Sequence, residues 1–314
     1  MKNRFQSVLA CACLWPIALF AQKPWSAPRT TEGKPDLQGI WTNITITPLE
    51  RPRDLGDKAF FTEQEALQYE KQVREQNNAD RRDGGTQADL GRAYNDFWYD
   101  RGTKVVGNRR TSLITDPPDG KIPALTPEAQ KRQADRAAGA RGHQFDGPEN
   151  RALTERCLVW PTAGPPMLPS FYNNNYQIVQ SPGYVTILVE MVHDVRVIPT
   201  DGSPHLPSNI RLWFGDSRGH WEGDTLVVET TNFTDKNSFR GSDENMKLIE
   251  KFTRTGPDTI LYEFTVNDST AFTKPWTAQI PMTKMQGPII EYACHEGNYA
   301  MSGMLAGARA DEKK

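Results

Sequence analysis

The pattern of apolar and polar residues divides this chain into two parts. Residues 22–156 are polar and rich in Pro, Gly, Arg and Asp, whereas from about Tyr172 apolar residues recur at every second position. A period of two is typical of strands that bury one face. We predict strands at residues 175–180, 184–198, 211–214, 218–221, 225–233, 246–254, 259–266, 276–282 and 288–294. Their regular spacing, with turn residues between them, predicts a mainly β fold: an antiparallel β-barrel or sandwich.

The N-terminal part carries two helix signals and one short strand. Thr62 is followed three residues later by Glu65, which is the sequence of a capping box and predicts a helix. Thr126 precedes Pro127, a residue that suits the first helical position, and this pair predicts a second helix. Residues 36–42 predict a strand. The rest of this part is irregular, so we interpret it as an extension that packs on the β core.

The first 21 residues have the layout of a secretory signal peptide. Lys2 and Arg4 precede an apolar run at residues 8–20, and the small residue Ala21 leads into a polar segment. The run is shorter than the roughly 20 apolar residues that span a bilayer, although a buried N-terminal helix is an alternative. We predict a periplasmic or secreted protein with no transmembrane anchor. The predicted parts are a signal peptide at 1–21, an irregular extension with two short helices at 22–156, an antiparallel β domain at 157–309 and a tail at 310–314.

The net charge and the cysteine content bear on which partners the protein binds and on whether it contains a disulfide. The formal net charge is −2, without the excess of Lys and Arg that binds a phosphate backbone, so no nucleic-acid partner is expected. Of the four cysteines, Cys11 and Cys13 would leave with the signal peptide. In an oxidising compartment the remaining pair, Cys157 and Cys294, predicts one disulfide, with two buried free thiols as the alternative. No two histidines have metal-ligand spacing, so we expect neither a metal site nor a cofactor.

Ionisable residues crowd the longest predicted strand, residues 184–198. A period of two places Glu190, Asp194 and Arg196 on one face of that strand and His193 on the other. An ion pair on a half-exposed sheet face would explain them. Apolar residues flank Glu190 closely, however, and a carboxylate in such a setting is either paired or perturbed. Glu190, His193 and Arg196 are therefore candidate catalytic residues.

Two further motifs bear on catalysis. His295 lies between Cys294 and Glu296, so a disulfide would hold it rigidly beside a carboxylate and make it an acid–base candidate. A surface turn after the last strand is the alternative interpretation. Residues 215–219 (GDSRG) match the nucleophile elbow of serine hydrolases, which needs a following helix. Here a β-hairpin follows instead, so we interpret this motif as a turn.

The predicted barrel suggests two functions of different class. A barrel of about eight strands is either filled by its own side chains or holds one small ligand. The first hypothesis is an exported protein that binds a small, aromatic or amphipathic molecule. The second is an exported hydrolase, lyase or isomerase that uses acid–base chemistry. The candidate ligand-binding residues are Tyr172, Asn174, Tyr176, Arg211, Trp213 and His220.

Three long strings carry a family resemblance. They are residues 35–41 (PDLQGIW), 215–233 (GDSRGHWEGDTLVVETTNF) and 292–299 (YACHEGNY). Together they resemble a widespread family of exported bacterial proteins with no established activity, and the resemblance covers most of residues 35–309. It implies export and a shared fold but supplies no catalytic residues. The string Gly39-Ile40-Trp41 is also similar to the G-x-W start of lipocalins, which implies a calycin-like barrel.

Overall fold

The computed structural model describes residues 25–91 and 95–314, so the predicted signal peptide at 1–21 lies outside the described residues. The strands are β1 (Gly39–Thr42), β2 (Ile114–Asp116), β3 (Asn175–Ser181), β4 (Tyr184–Val189), β5 (Val195–Pro199), β6 (Asp216–Glu222), β7 (Thr225–Thr231), β8 (Lys247–Gly256), β9 (Thr259–Asn267) and β10 (Trp276–Lys284). The helices are α1 (Glu63–Asn77), α2 (Gly85–Gly91), α3 (Pro127–Ala140) and α4 (Tyr299–Asp311). Within the described ranges, no helix combines the length and apolar content needed to cross a bilayer.

Nine strands of the described chain form one antiparallel sheet that curls into a nearly closed barrel. Their order is β5-β4-β3-β1-β10-β9-β8-β7-β6, and β2 pairs with β10 outside this path. The prediction of a mainly antiparallel β fold is confirmed, and the sheet has the form of a barrel. The short β1 strand lies between β3 and β10, with Trp41 opposite Tyr176 on one side and Lys284 on the other.

Side chains fill the barrel. Alternate residues of each strand point inward, as the period of two requires, and large aromatic residues occupy the centre. Trp41, Tyr176, Tyr262, Phe264 and Trp276 are all buried to at least 98%. A packed interior of this kind contributes the apolar burial that stabilises the fold. It also means that a site for a small molecule has to lie outside the barrel interior.

Both predicted N-terminal helices form, and local capping explains where they begin. The Thr62 hydroxyl accepts a hydrogen bond from the Glu65 backbone N–H at 3.3 Å, and the Glu65 carboxylate accepts one from the Thr62 N–H at 2.9 Å. At the start of α3, Thr126 accepts a hydrogen bond from Ala129 N–H, and Pro127 occupies the first helical turn. These contacts satisfy N–H groups that have no partner within the helix. Helix α2 was not predicted.

The predicted strand at 184–198 is wrong, because the chain reverses direction inside it. Strands β4 and β5 form an antiparallel hairpin that is closed by a hydrogen bond from Val189 N–H to Asp194 C=O at 2.8 Å. Glu190 has helical backbone angles, and Val192 has φ +62°. A β-branched residue rarely adopts that left-handed conformation, so the sequence carries no turn signal here. The predicted shared face for Glu190 and Arg196 therefore does not exist.

Two other predicted strands are also wrong. Residues 211–214 form an irregular segment in which Leu212 makes a single isolated bridge to Phe233. Residues 288–294 are irregular too, and they connect β10 to α4. Both runs are short, and periodicity alone does not assign the structure of a short apolar run.

Candidate functional site

A hydrogen-bonded polar network lies inside the barrel. The Arg196 guanidinium, on β5, donates to both carboxylate oxygens of Glu250 on β8. It also donates to the hydroxyls of Ser217 on β6 and Thr230 on β7, each at 2.9 Å. The Tyr262 hydroxyl donates to Glu250 at 2.8 Å, and burial followed by the Glu250 charge raises the pKa of Tyr262 well above its usual range.

This network joins the two ends of the sheet. Strands β5 and β6 are the first and last of the described barrel path and do not pair, and Arg196 spans the seam between them by its bond to Ser217. Glu250 is fully buried and Arg196 is 91% buried. A buried charge pair needs this degree of hydrogen bonding to offset the cost of leaving water. These contacts indicate that Arg196 stabilises the fold.

The loop that follows Cys157 packs against the core of the barrel. Its Met167 backbone N–H donates to the Tyr262 hydroxyl at 3.0 Å, and the Met167 side chain is buried. Gly164 has φ +104°, and a Cβ at this position would lie 2.6 Å from Met167 Cγ. Only glycine therefore fits this bend, which brings Met167 into the barrel.

The outer surface of the same loop borders a cleft of about 650 Å³, which we call the Trp160 cleft. Helix α1 and several loops supply its walls, and none of the described residues that line it belongs to a strand. The lining comprises residues 45–49, Val73, Asn77, Arg101, Leu113, Thr154, residues 160–162, residues 168–171 and Arg240. A volume of this size is typical of small-molecule sites.

Apolar and aromatic side chains dominate the Trp160 cleft. Leu113 and Leu168 are buried beneath it, and the rings of Trp160 and Phe171 lie with their centroids 5.7 Å apart in an edge-to-face arrangement. The lining also includes the backbone and hydroxyl groups of several Thr and Ser residues. Apolar walls with a few polar groups suit an amphipathic small molecule.

A C-terminal arm, residues 285–298, supports the aromatic wall of this cleft. Its Tyr292 ring stacks on Tyr172 with centroids 6.1 Å apart, and Tyr172 in turn contacts Trp160 at 6.1 Å. A disulfide between Cys157 and Cys294 joins the arm to the start of the Trp160 loop, which confirms the predicted pairing. The aromatic wall therefore depends on a covalent connection between distant parts of the chain.

Glu190 positions the same arm. One carboxylate oxygen accepts the Ile290 backbone N–H at 3.0 Å, and the other accepts the Asn175 amide at 2.6 Å. Glu190 is 96% buried. The two carboxylate oxygens therefore hold the C-terminal arm and the start of β3 in place. Of the other candidate catalytic residues, His295 is exposed on the arm, and the His193 side chain lies outside the described residues.

Asp100 lies near Glu190, and its environment disfavours ionisation. Restricted hydration raises the pKa of the Asp100 carboxyl, and the negative charge of Glu190 raises it further. The side chain is nevertheless solvent-exposed, so solvent screening keeps the energetic effect small.

Replacing Asp100 with asparagine is expected to stabilise the protein at pH 7 by less than about 1 kcal/mol. As pH rises, this carboxyl ionises at a lower pH in the unfolded chain than in the native state, where its pKa is raised. The free energy of unfolding therefore falls between the ordinary aspartate pKa and the raised pKa of Asp100. A neutral asparagine side chain avoids that loss, and the gain should vanish near pH 3.5. Urea unfolding of both proteins at the two pH values checks this.

Asp201→Asn is the matched control, because hydrogen bonds from Ser203 lower the pKa of the Asp201 carboxyl. Asp201→Asn should have the opposite effect. It should lower the free energy of unfolding relative to the unsubstituted protein at pH 7, and by less at pH 3.5. Equal pH dependence of Asp100→Asn and the unsubstituted protein would contradict the prediction.

The structure separates the candidate ligand-binding residues. Tyr172 contacts the wall of the Trp160 cleft, and Asn174 is buried with its amide bonded to Ser170 and to the Asp100 carbonyl. Tyr176 is inside the barrel, where burial raises the pKa of its phenol.

The remaining candidates lie elsewhere. The Arg211 guanidinium donates to the Glu244 carbonyl at 2.9 Å, and Trp213 is half-buried in the same irregular segment. His220 is exposed beside Glu222 and borders a separate cleft of about 500 Å³. Of the six candidates, Tyr172 and Asn174 therefore lie beside the Trp160 cleft.

The GDSRG motif does not form a nucleophile elbow. Ser217 lies within strand β6 with its hydroxyl bonded inside the barrel, and β6 leads by a tight turn into β7. The expectation that a β-hairpin follows the motif is confirmed. The interpretation of the motif itself as a turn is wrong, because residues 216–219 belong to strand β6 and Gly215, with φ +69°, precedes that strand.

Sequence reasoning missed Glu250, Arg101 and Arg240. Glu250 lies between Leu248 and Phe252 on the inward face of β8, which is otherwise apolar. A carboxylate in that apolar pattern indicates a buried charge that needs a partner. Nothing local marks Arg101 or Arg240, because the cleft joins segments far apart in sequence.

No family model, curated protein or solved structure matches this chain. The fold and the site together define a packed antiparallel β-barrel with a preformed cleft built by its loops. Within the described residues, no three His, Cys, Asp or Glu side chains come together as a metal site would require.

Proposed function

We propose that this protein is an exported binding protein for a small amphipathic molecule, and that the Trp160 cleft holds that molecule. The observation that carries the proposal is a preformed cleft of about 650 Å³ with buried leucines beneath it and aromatic rings in its wall. Ligand sites are characteristically concave and mostly apolar, with a few polar groups that fix orientation.

Export is part of the same proposal. The signal-like pattern of residues 1–21 supports it, and so does the Cys157–Cys294 disulfide, since disulfides persist in oxidising compartments. We also propose membership of the exported bacterial family that residues 215–233 resemble.

The positions of the candidate catalytic residues favour a binding protein over an acid–base enzyme. Both oxygens of Glu190 accept hydrogen bonds that hold structure, and Arg196 is bonded to Glu250 inside the barrel. A general base has to reach the proton that it abstracts from the substrate, and both of these side chains are buried. The described geometry leaves Glu190 and Arg196 supporting the fold.

Filling the cleft tests the site. Val73, on α1, lines the Trp160 cleft and is partly exposed, so Val73→Trp should occupy the ligand's volume. We expect a tenfold or larger loss of affinity for any amphipathic probe that stabilises the protein in a thermal-shift screen. A probe at a hundredfold excess over its dissociation constant adds about 2.7 kcal/mol to the native state.

Leu67→Trp is the matched control, because Leu67 is an exposed residue of the same helix that does not line the cleft. This variant should bind the probe like the unsubstituted protein. Equal affinity of Val73→Trp and Leu67→Trp would remove the Trp160 cleft as the site. Mass spectrometry of the bound probe distinguishes binding from turnover, and a changed probe would favour the enzyme.

A further inference from the structure

We infer that the ligand of the Trp160 cleft is an amphipathic anion whose carboxylate or other acidic group is held by Arg240 and Arg101. This inference rests on the proposed function, and it specifies the chemistry of the ligand. The apolar part of the ligand would lie against Trp160 and Phe171, and its charged end would face the two arginines.

The charges of the lining carry the inference. Arg101 and Arg240 are the charged side chains in the described lining of the cleft, and both are cationic. Among the described residues, the lining contains no aspartate or glutamate that would neutralise them. An anion entering such a cleft is attracted by both guanidiniums, and added salt screens this attraction because Arg240 is exposed and Arg101 is half-buried.

Arg240 is available to bind a ligand. Arg240 is exposed, and within the described residues its guanidinium has no hydrogen-bond or ion-pair partner, whereas the guanidiniums of Arg136 and Arg218 are each bonded to an aspartate. A guanidinium carries five N–H donors in a planar fork that matches a carboxylate.

The backbone of Arg240 is fixed in an uncommon conformation. Its φ is +57° and that of Gly241 is +105°. Two hydrogen bonds between Phe239 and Ser242 close this turn, and the Phe239 ring stacks on buried Trp276. A non-glycine residue with positive φ is held there by its surroundings, and such positions cluster at functional sites. The turn presents Arg240 at the cleft from a rigid support.

Arg101 is a second, more constrained cation. Its guanidinium lies 3.6 Å from the centre of the Tyr99 ring and donates one hydrogen bond to the Asn77 carbonyl at 3.3 Å. Stacking on an aromatic face leaves the edge of a guanidinium free to donate. Arg101 also borders a neighbouring groove that contains Asp96 and Asp100, so those carboxylates offset part of its charge. Arg240 should therefore be the stronger anchor.

Paired probes that differ only in charge test the inference. We would measure binding of 2-naphthoate against 2-naphthamide, and of decanoate against decanol, by titration calorimetry. The acid of at least one pair should bind tenfold or more tightly than its neutral partner, and added salt should weaken only the acid. Arg240→Gln should lower the affinity for the acid at least tenfold and leave that of the neutral partner unchanged.

Arg74→Gln is the matched control, because Arg74 is an exposed arginine on α1 that does not line the Trp160 cleft. Its affinity for the acid should match that of the unsubstituted protein. Suppose that an acid and its neutral partner bind equally well and that Val73→Trp abolishes both. This result would overturn the anion inference and leave the binding function standing. Binding of none of the four probes would overturn both.

Discussion

Replacing Cys157 or Cys294 with serine is expected to lower the free energy of unfolding by about 5 kcal/mol. The bridge joins residues 137 positions apart, and closing so long a loop removes much conformational freedom from the unfolded chain. The same substitution frees the C-terminal arm, so Tyr292 should lose its fixed contact with Tyr172. An effect this large is comparable to the whole stability of many domains.

Guanidinium unfolding under non-reducing conditions measures this loss. The double variant Cys157→Ser/Cys294→Ser should be about as stable as either single variant, because all three lack the same bridge. Hydrogen exchange at the Ile290 N–H, which Glu190 holds, should accelerate in each variant. A double variant that loses twice the stability of a single one would show that the thiols act separately.

Breaking the charge pair inside the barrel is expected to cost 3–5 kcal/mol, roughly, for either Arg196→Met or Glu250→Gln. Each substitution leaves one polar partner buried without its main hydrogen bonds, and Arg196→Met also removes the contact that spans the β5–β6 seam. The double variant Arg196→Met/Glu250→Leu should recover most of the loss, because an apolar pair of similar volume leaves no unpaired charge.

Lys251→Met is the matched control. Lys251 follows Glu250 on β8 but points outward, and its ion pair with Glu263 is partly solvent-exposed with N and O 3.7 Å apart. Exposed pairs of this kind contribute about 0–1 kcal/mol. Urea unfolding of all four variants gives the comparison. If Glu250→Gln and Lys251→Met destabilise equally, the buried network does not carry the stability assigned to it.

The sequence predicted most strands and both early helices because their signals are local. A capping threonine with a glutamate three residues later marks the beginning of α1, and the period of two in β8 and β9 corresponds to their alternation of buried and more exposed residues. The errors occurred where distant contacts decide the outcome. Val192 adopts a left-handed conformation because the hairpin around it is hydrogen-bonded, and residues 288–294 are held by a side chain instead of a strand, since Glu190 accepts the Ile290 N–H.

The candidate site was harder to predict because separate segments build it. Trp160 and Arg240 are 80 positions apart, and helix α1 contributes Val73 from a third region. No periodic pattern connects such residues. The sequence indicated that an aromatic, amphipathic ligand was plausible, but it pointed to the barrel interior, which Trp41 and Tyr262 in fact occupy.

The central place of β1 in the sheet has a consequence for how the protein folds. Trp41 pairs with Tyr176 of β3 and with Lys284 of β10. Strand β1 is synthesised first, but it can complete its pairing only when β10, the last strand of the sheet, is available. Non-local pairing of this kind slows folding. The barrel can therefore be completed only after nearly all of the chain has been synthesised. Until β10 takes its place, β1 and β9 each present an open sheet edge, and such edges favour aggregation of a partly folded chain.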